Sequence, residues 1–262
     1  MCSFRSGGSH IKLVGIGTQK IEEELAALFP NIRVLRMDTD TTSGRRSHEE
    51  ILDAFGRGEA DILLGTQMVA KGLDFPNVTL VGVIDADLAL SGGHYLAGER
   101  SFSLISQVVG RAGRRDKPGR AVIQSFSPEH PIIEAAARQD YEAFYRYELD
   151  IRQLIKAPPF SDIFTFFFSS EDEEKTELAA QKMAQGMKAA FRGKYADLQT
   201  AILGPVPAAI ARVNNKYRFV LTFKGKETTR SRALLSDLLS WFSAQPEARG
   251  ITVAADINSI SY

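Results

Sequence analysis

Short apolar runs and helical segments take turns along the first 130 residues of this chain, and no other feature restricts the fold as strongly. Residues 61–65 and 78–84 are near-continuous apolar runs of the kind that buried parallel strands produce. Residues 11–14, 32–35 and 121–124 read as further short strands. Between them, residues 18–29 carry Ile21, Leu25 and Leu28 at helical spacing before Pro30. Ser47 with Glu50 forms a capping box for a helix through Ile51, Leu52 and Phe55, which Gly56 and Gly58 end. Residues 99–109 read as another helix. This alternation predicts an α/β domain, a parallel sheet with helices on both faces. Such sheets bind ligands at the carboxyl ends of their strands, which directs attention to the loops after Leu64 and Ile84 and to the helix end near residue 110.

A second organisation follows. Residues 132–155 read as one long helical stretch, and Pro158 and Pro159 forbid its continuation. Beyond them come a strand at 163–169, a helix at 173–192, an interrupted strand at 200–203 and 208–213, and a turn signal at Asn214 and Asn215. Another β-like run, a helix at 228–242 and a strand at 251–255 close the chain. That order, β-α-β-β-α-β, predicts a smaller α+β domain of the split βαβ type. The expected division is 11–130 for the α/β domain, 131–157 for a helical connector and 158–262 for the α+β domain.

Charge narrows the partners. Lys plus Arg and Asp plus Glu both total 32, so no global field draws the chain to nucleic acid or an anionic membrane, and a local patch must meet any such partner. Cys2 stands alone, which excludes an internal disulfide and a four-thiolate zinc site and points to a reducing, cytoplasmic setting. With no apolar run of 18 residues and a polar, glycine-rich start, no anchor or export signal is expected.

Two segments carry chemistry. In the first, a buried strand delivers Gly65, Thr66 and Gln67 into a loop whose free N–H groups and hydroxyl suit a phosphate, and Gly72 and Asp74 follow on a turn where a carboxylate suits a ribose hydroxyl. The same residues equally read as a strand end and a helix cap. The second is Q-V-V-G-R-A-G-R at 107–114, where Arg111 and Arg114, three apart, project from one face of a helix end. Guanidiniums match phosphate oxygens, and one placed against a γ-phosphate is worth about 10³ to 10⁵ in hydrolysis rate. The alternatives are a solvated basic helix end, or, with Arg115, Lys117 and Arg120, a contact to nucleic-acid backbone. No G-x-x-x-x-G-K-[ST] occurs in the 262 residues, so this chain alone has no loop to cradle a triphosphate. Paired arginines without that loop suit half of a two-lobed machine.

Taken together, G-T-Q-M at 65–68, K-G-L-D-F-P-N-V at 71–78, G-E-R-S-F-S-L at 98–104 and Q-V-V-G-R-A-G-R closely resemble the second, RecA-like lobe of the PriA family. These are superfamily-2 replication-restart helicases, also called primosomal protein N′. Gly17-Thr18-Gln19-Lys20, residues 36–42, Ala86-Asp87, Pro158-Pro159-Phe160, Gly204-Pro205-Val206-Pro207-Ala208 and Tyr217-Arg218 extend the resemblance to the end of the chain. It implies an ATP-dependent 3′ to 5′ DNA helicase acting at stalled or branched forks, with ATP and Mg²⁺ bound mainly by another lobe. Single-stranded-DNA-binding protein and other primosome components would be partners. It implies that Arg111 and Arg114 are arginine fingers supported by Gln107, and that Asp74 and Gly72 lie at the nucleotide. Thr66, Gln67 and Lys71 would meet the DNA strand, and the chain alone would be inert as an ATPase.

The sequence departs from the family in two places. Gly93-His94-Tyr95-Leu96 stands where P-D-[FY]-R is usual. The family's zinc module, with eight cysteines, should end just before Gly8, yet only Cys2 is present, so residues 1–10 read as a tag or a truncated remnant and no metal is expected. His10, His48, His94 and His130 show no metal spacing. Phe164, Phe166 and Phe168 alternate onto one strand face as core, and Trp241 reads as helix core. Tyr217 and Arg218, beside the asparagine turn, read as exposed candidates for nucleic-acid contact. Two rival functions stand beside the helicase: a non-catalytic helicase-like adaptor for DNA or protein, and a related translocase acting on RNA.

Overall fold

The computed structural model describes residues 17–37, 48–66, 75, 77–110 and 119–260, and the chain divides into two units, Met1–Gly82 with Gln107–Val122 and Val83–Ser106 with Ile123–Tyr262. The strand expected at 11–14 and the cap at Ser47 lie outside the described residues.

In the first unit, α1 (Thr18–Leu28) and α2 (His48–Gly56) accompany β1 (Val34–Met37) and β2 (Ile62–Gly65). The two strands pair in parallel, from Val34 opposite Ile62 to Met37 opposite Gly65. β1 starts two residues later than expected because Ile32 N–H donates to Phe29 O, which holds the end of α1 in a turn. Asp61 ties the entries of both strands together, accepting from Arg33 N–H at 3.0 Å and from its guanidinium at 3.1 and 2.7 Å. Those bonds hold the Asp61 carboxyl down at about 2. Met37, Ile51 and Ala54 are buried between α2 and β1. A second two-stranded sheet joins β3 (Leu80–Val83) and β4 (Arg120–Ile123). Arg120 N–H donates to Thr79 O and Gln124 N–H to Val83 O, a constant offset that makes this pair parallel too. The α/β expectation is therefore met as two parallel pairs among the described residues.

In the second unit, α3 (Asp87–Leu90), α4 (Ala97–Val109), α5 (Pro131–Arg138) and α6 (Tyr141–Leu154) precede the α+β elements, with the last three residues of α4 grouped in the first unit. The single long helix expected at 132–155 is two. Gln139 adopts φ +56°, its N–H closes on Ala135 and Ala136 carbonyls, and the Asp140 carboxylate accepts from Ala143 N–H at 2.9 Å to start α6. A capping carboxylate therefore outweighs the helical propensity running through the break.

The α+β part follows the expected order: β5 (Asp162–Ser170), α7 (Glu173–Arg192), β6 (Ile202–Val213), β7 (Lys216–Gly225), α8 (Thr229–Ser243) and β8 (Thr252–Ile257). The strands form one antiparallel sheet in the order β6-β7-β5-β8. Phe164, Phe166 and Phe168 are at most 1% exposed and meet Met183, Met187, Leu221, Phe223, Leu234 and Phe242 in one core. Asn214 and Asn215 both take positive φ, the requirement of the two-residue hairpin joining β6 to β7. Trp241 is not core: it is 37% exposed and lies over Gly186, where a Cβ would stand 2.2 Å from the indole. The helical pattern placed Trp241 on the inner side of α8, but the missing side chain at Gly186 lets its ring settle at the seam between helices.

Candidate functional site

Thr66 directly follows β2, so it occupies the carboxyl end of a parallel pair and is exposed there. Loops at such ends face outward because the ladder has run out of strand to pair with. α4 buries Ser101, Phe102 and Ile105 on one stripe, and Gln107, exposed in its last turn, lies off that stripe. Gln67, Lys71, Gly72, Asp74, Arg111 and Arg114 lie outside the described residues.

Tyr217 and Arg218 are both half-buried rather than exposed, and the pleat sends them to opposite faces of β7. Tyr217 shares the parity of the buried Phe219, Leu221 and Phe223, with the Arg212 guanidinium 4.8 Å from its ring centre. Arg218 sits on the other face, opposite Ser169. The two are thus not one contact pair, and Tyr217 is largely committed to holding Arg212. The hairpin still has a strong electrical character. Between residues 198 and 226 there is no Asp or Glu, while Arg212, Lys216, Arg218, Lys224 and Lys226 are all cations.

Several motif residues serve assembly. Gly98 lets α4 approach α5 and α6 closely, because a Cβ there would stand 2.5 Å from Glu148 Oε2 and 2.7 Å from Ile132 Cδ1. Glu99 accepts from Arg152 at 2.8 Å, and Arg152 also donates to Glu148 at 2.8 Å and to Pro158 O at 3.3 Å. Burial alone would lower the Arg152 pKa, and the two carboxylates more than reverse that. Asp87 accepts from Phe126 N–H at 2.8 Å and Ser125 Oγ at 3.0 Å, tying together the chain beyond β3 and β4. Burial opposes its ionisation, yet those bonds together hold the carboxyl below its ordinary value. His130 accepts from Ile132 N–H to cap α5. Gly204 in the G-P-V-P-A run takes φ +95° with Val220 O 2.8 Å from a notional Cβ, at the first register shift of β6. Only a residue without a side chain fits there. The roles of Gly98, Glu99, Asp87 and Gly204 do not follow from spacing along the chain, since their partners lie 16 or more positions away.

Residues 8–116 match the family model described as helicase conserved C-terminal domain, a RecA-like lobe, and residues 153–259 match the model described as primosomal protein N C-terminal domain. Together with the fold, these matches define the C-terminal lobe of a helicase joined to a split βαβ domain. Replication restart protein PriA of Bacillus subtilis (strain 168) is 43% identical over 249 residues, covering 95% of this chain and 30% of that protein. PriA of Synechocystis sp. is 40% identical over 215 residues, covering 82% and 25%, and PriA of Treponema pallidum is 36% identical over 248, covering 94% and 36%. The chain belongs to the PriA replication restart family and spans between 25% and 36% of the length of these relatives. Among the described residues no helix is long and apolar enough to cross a membrane.

Proposed function

We propose that this chain supplies the second lobe and the C-terminal domain of an ATP-dependent DNA helicase that moves 3′ to 5′ at stalled or branched replication forks and assists primosome assembly. The observation that carries this reading is the succession, in one chain, of a helicase lobe and a primosomal C-terminal domain. Thr66 at a strand's carboxyl end and Gln107 off the buried stripe of α4 support it. Residues 11–130 are the lobe, 131–157 the connector and 158–262 the C-terminal domain, a division by sequence that the two compact units cross.

In this scheme Arg111 and Arg114 face the outer phosphates of ATP held with Mg²⁺ by a P-loop elsewhere in the whole protein, and Gln107 orders their segment. Gly72 and Asp74 meet the ribose. Thr66, Gln67 and Lys71 grip the DNA backbone. Lys216 and Arg218 on one face of β7, and Arg212 with Tyr217 on the other, offer the hairpin to a second stretch of DNA. Single-stranded-DNA-binding protein and other primosome proteins are the expected partners, and the cytoplasm is the expected compartment. Zinc belongs to a part of the family that this sequence, with one cysteine, does not contain.

The test is kinetic. In the full-length protein, Arg111→Ala should cut DNA-stimulated phosphate release by about tenfold or more while DNA affinity holds, because a finger acts on transition-state charge. The 262-residue chain alone should release no phosphate above background. Equal losses of turnover and DNA binding, or turnover by the isolated chain, would overturn the assignment.

A further inference from the structure

The end of the chain is fastened to the beginning of α4. Beyond β8, Asn258 takes φ +53° and is locked to the start of β5: its N–H donates to Ile163 O at 2.8 Å, its Oδ1 accepts from Ile163 N–H at 2.8 Å, and its Nδ2 donates to Asp162 at 2.7 Å. The outward carbonyls of this segment are then taken up by residues 94–100. Tyr95 Oη donates to Asn258 O at 3.3 Å, His94 Nε2 lies 2.9 Å from Ser259 O, and the Arg100 guanidinium donates to Ile260 O. His94 Nδ1 accepts from Leu96 N–H at 3.0 Å, which leaves Nε2 as the protonated nitrogen and makes it the donor to Ser259. Tyr95 is stacked on His94 and lies 5.6 Å under the Arg152 guanidinium, so the contact continues into the Glu99–Arg152–Glu148 network that fixes α4 against α6. Ser259 is 5% exposed, so the His94 bond lies at the sheltered centre of the contact, while Ile260, 67% exposed, and Arg100 form its solvent-facing edge.

The contact is made by His94, Tyr95 and Arg100, at and just before the start of α4. It grips the first turn of a helix whose last turn carries Gln107 and leads to Arg111. Seven residues of helix separate Arg100 from Gln107, about 10 Å, and a helix transmits a tilt along that length with little loss. Fingers act only within about 0.5 Å of their productive geometry.

We propose that residues 258–260 are a strap by which the C-terminal domain sets the position of α4, with His94 and Tyr95 as positioning residues for nucleotide turnover. The turnover half of this inference rests on the function proposed above; the strap itself does not. The test uses the full-length protein and three variants: His94→Ala, His94→Gln and a truncation after Ile257. Hydrogen exchange is read at the amides of residues 103–109, and DNA-stimulated turnover is measured with the ATP KM and DNA affinity. In His94→Ala and in the truncation, exchange in α4 should rise about tenfold while β7 keeps its protection, and kcat should fall about fivefold with KM and DNA affinity within about twofold. His94→Gln, whose amide nitrogen can replace Nε2–H as the donor to Ser259, should recover most of both. Unchanged α4 exchange in both disrupted forms would refute the strap. Faster exchange with an unchanged kcat would refute the positioning role. A wild-type enzyme without DNA-stimulated turnover would sink the proposed function instead, and the exchange result would still decide the strap.

Discussion

The split βαβ domain and the helicase lobe are held together in different ways. β5 has nine residues, six of them buried, and its phenylalanines face two helices across a dry core. β2 has four residues, all half-buried, and β3 alternates exposed with half-buried positions. Among the lobe's described elements polar fastenings stand out instead: Asp87 on Ser125 and Phe126, and Glu99 on Arg152. An apolar core is tolerant of small shifts, while hydrogen-bonded fastenings specify one geometry and are lost singly.

This contrast can be broken most directly in the core. Phe166→Ala, at a position with no exposure, should destabilise the C-terminal domain by about 3–5 kcal/mol in urea unfolding, whereas Leu63→Ala in half-buried β2 should fall well short of that. Equal losses would erase the distinction. Gly98→Ala is the next largest change. It drives a methyl into Glu148 and Ile132, for about 1–3 kcal/mol of overpacking, visible as a lowered Tm. Because it acts on a fastening rather than on the phenylalanine core, the far-UV signal of the αβ sheet should survive it.

A smaller effect sharpens the boundary between the two regions. Asp140→Ala removes the cap that starts α6 and should cost about 1 kcal/mol, with faster exchange at the first amides of α6 alone. The smallest effect is electrostatic. Asp61 should titrate near 2 by NMR, and Arg33→Ala should return it toward its ordinary 3.8. Its folded pKa lies below the unfolded one, so its contribution is present above about pH 4 and fades as the pH falls through about 2. The pair is exposed, and the overall stability should change little. A large loss on Arg33→Ala would mean that surface fastenings matter more to the lobe than burial.

Local chemistry was readable where neighbours along the chain settled it. The helix at 173–192 stands where the sequence puts it, the hairpin needs only its two asparagines, and the β5 core face only the alternation of its phenylalanines. The break within 132–155 is hard to read from the chain because Gln139 is an uncommon residue at positive φ, although Asp140 is a capping residue. Tyr217 and Arg218 read as exposed because they flank a turn, whereas strand pairing leaves both half-buried. Of the candidate site, Thr66 and Gln107 stand where the strand and helix patterns put them, and the six other lobe residues lie outside the described ones.

Family membership, the element order of the α+β domain and the residue types available for phosphate and backbone contact are legible along the chain, because each depends on short-range pattern and on motifs a few residues long. It takes the folded arrangement to show that Gly98 is a point of close approach, that Trp241 covers Gly186, and that residues 94–100 hold residues 258–260. Those facts join groups up to 165 positions apart, and such a meeting is set by how sheets and helices stack rather than by anything the intervening residues spell out.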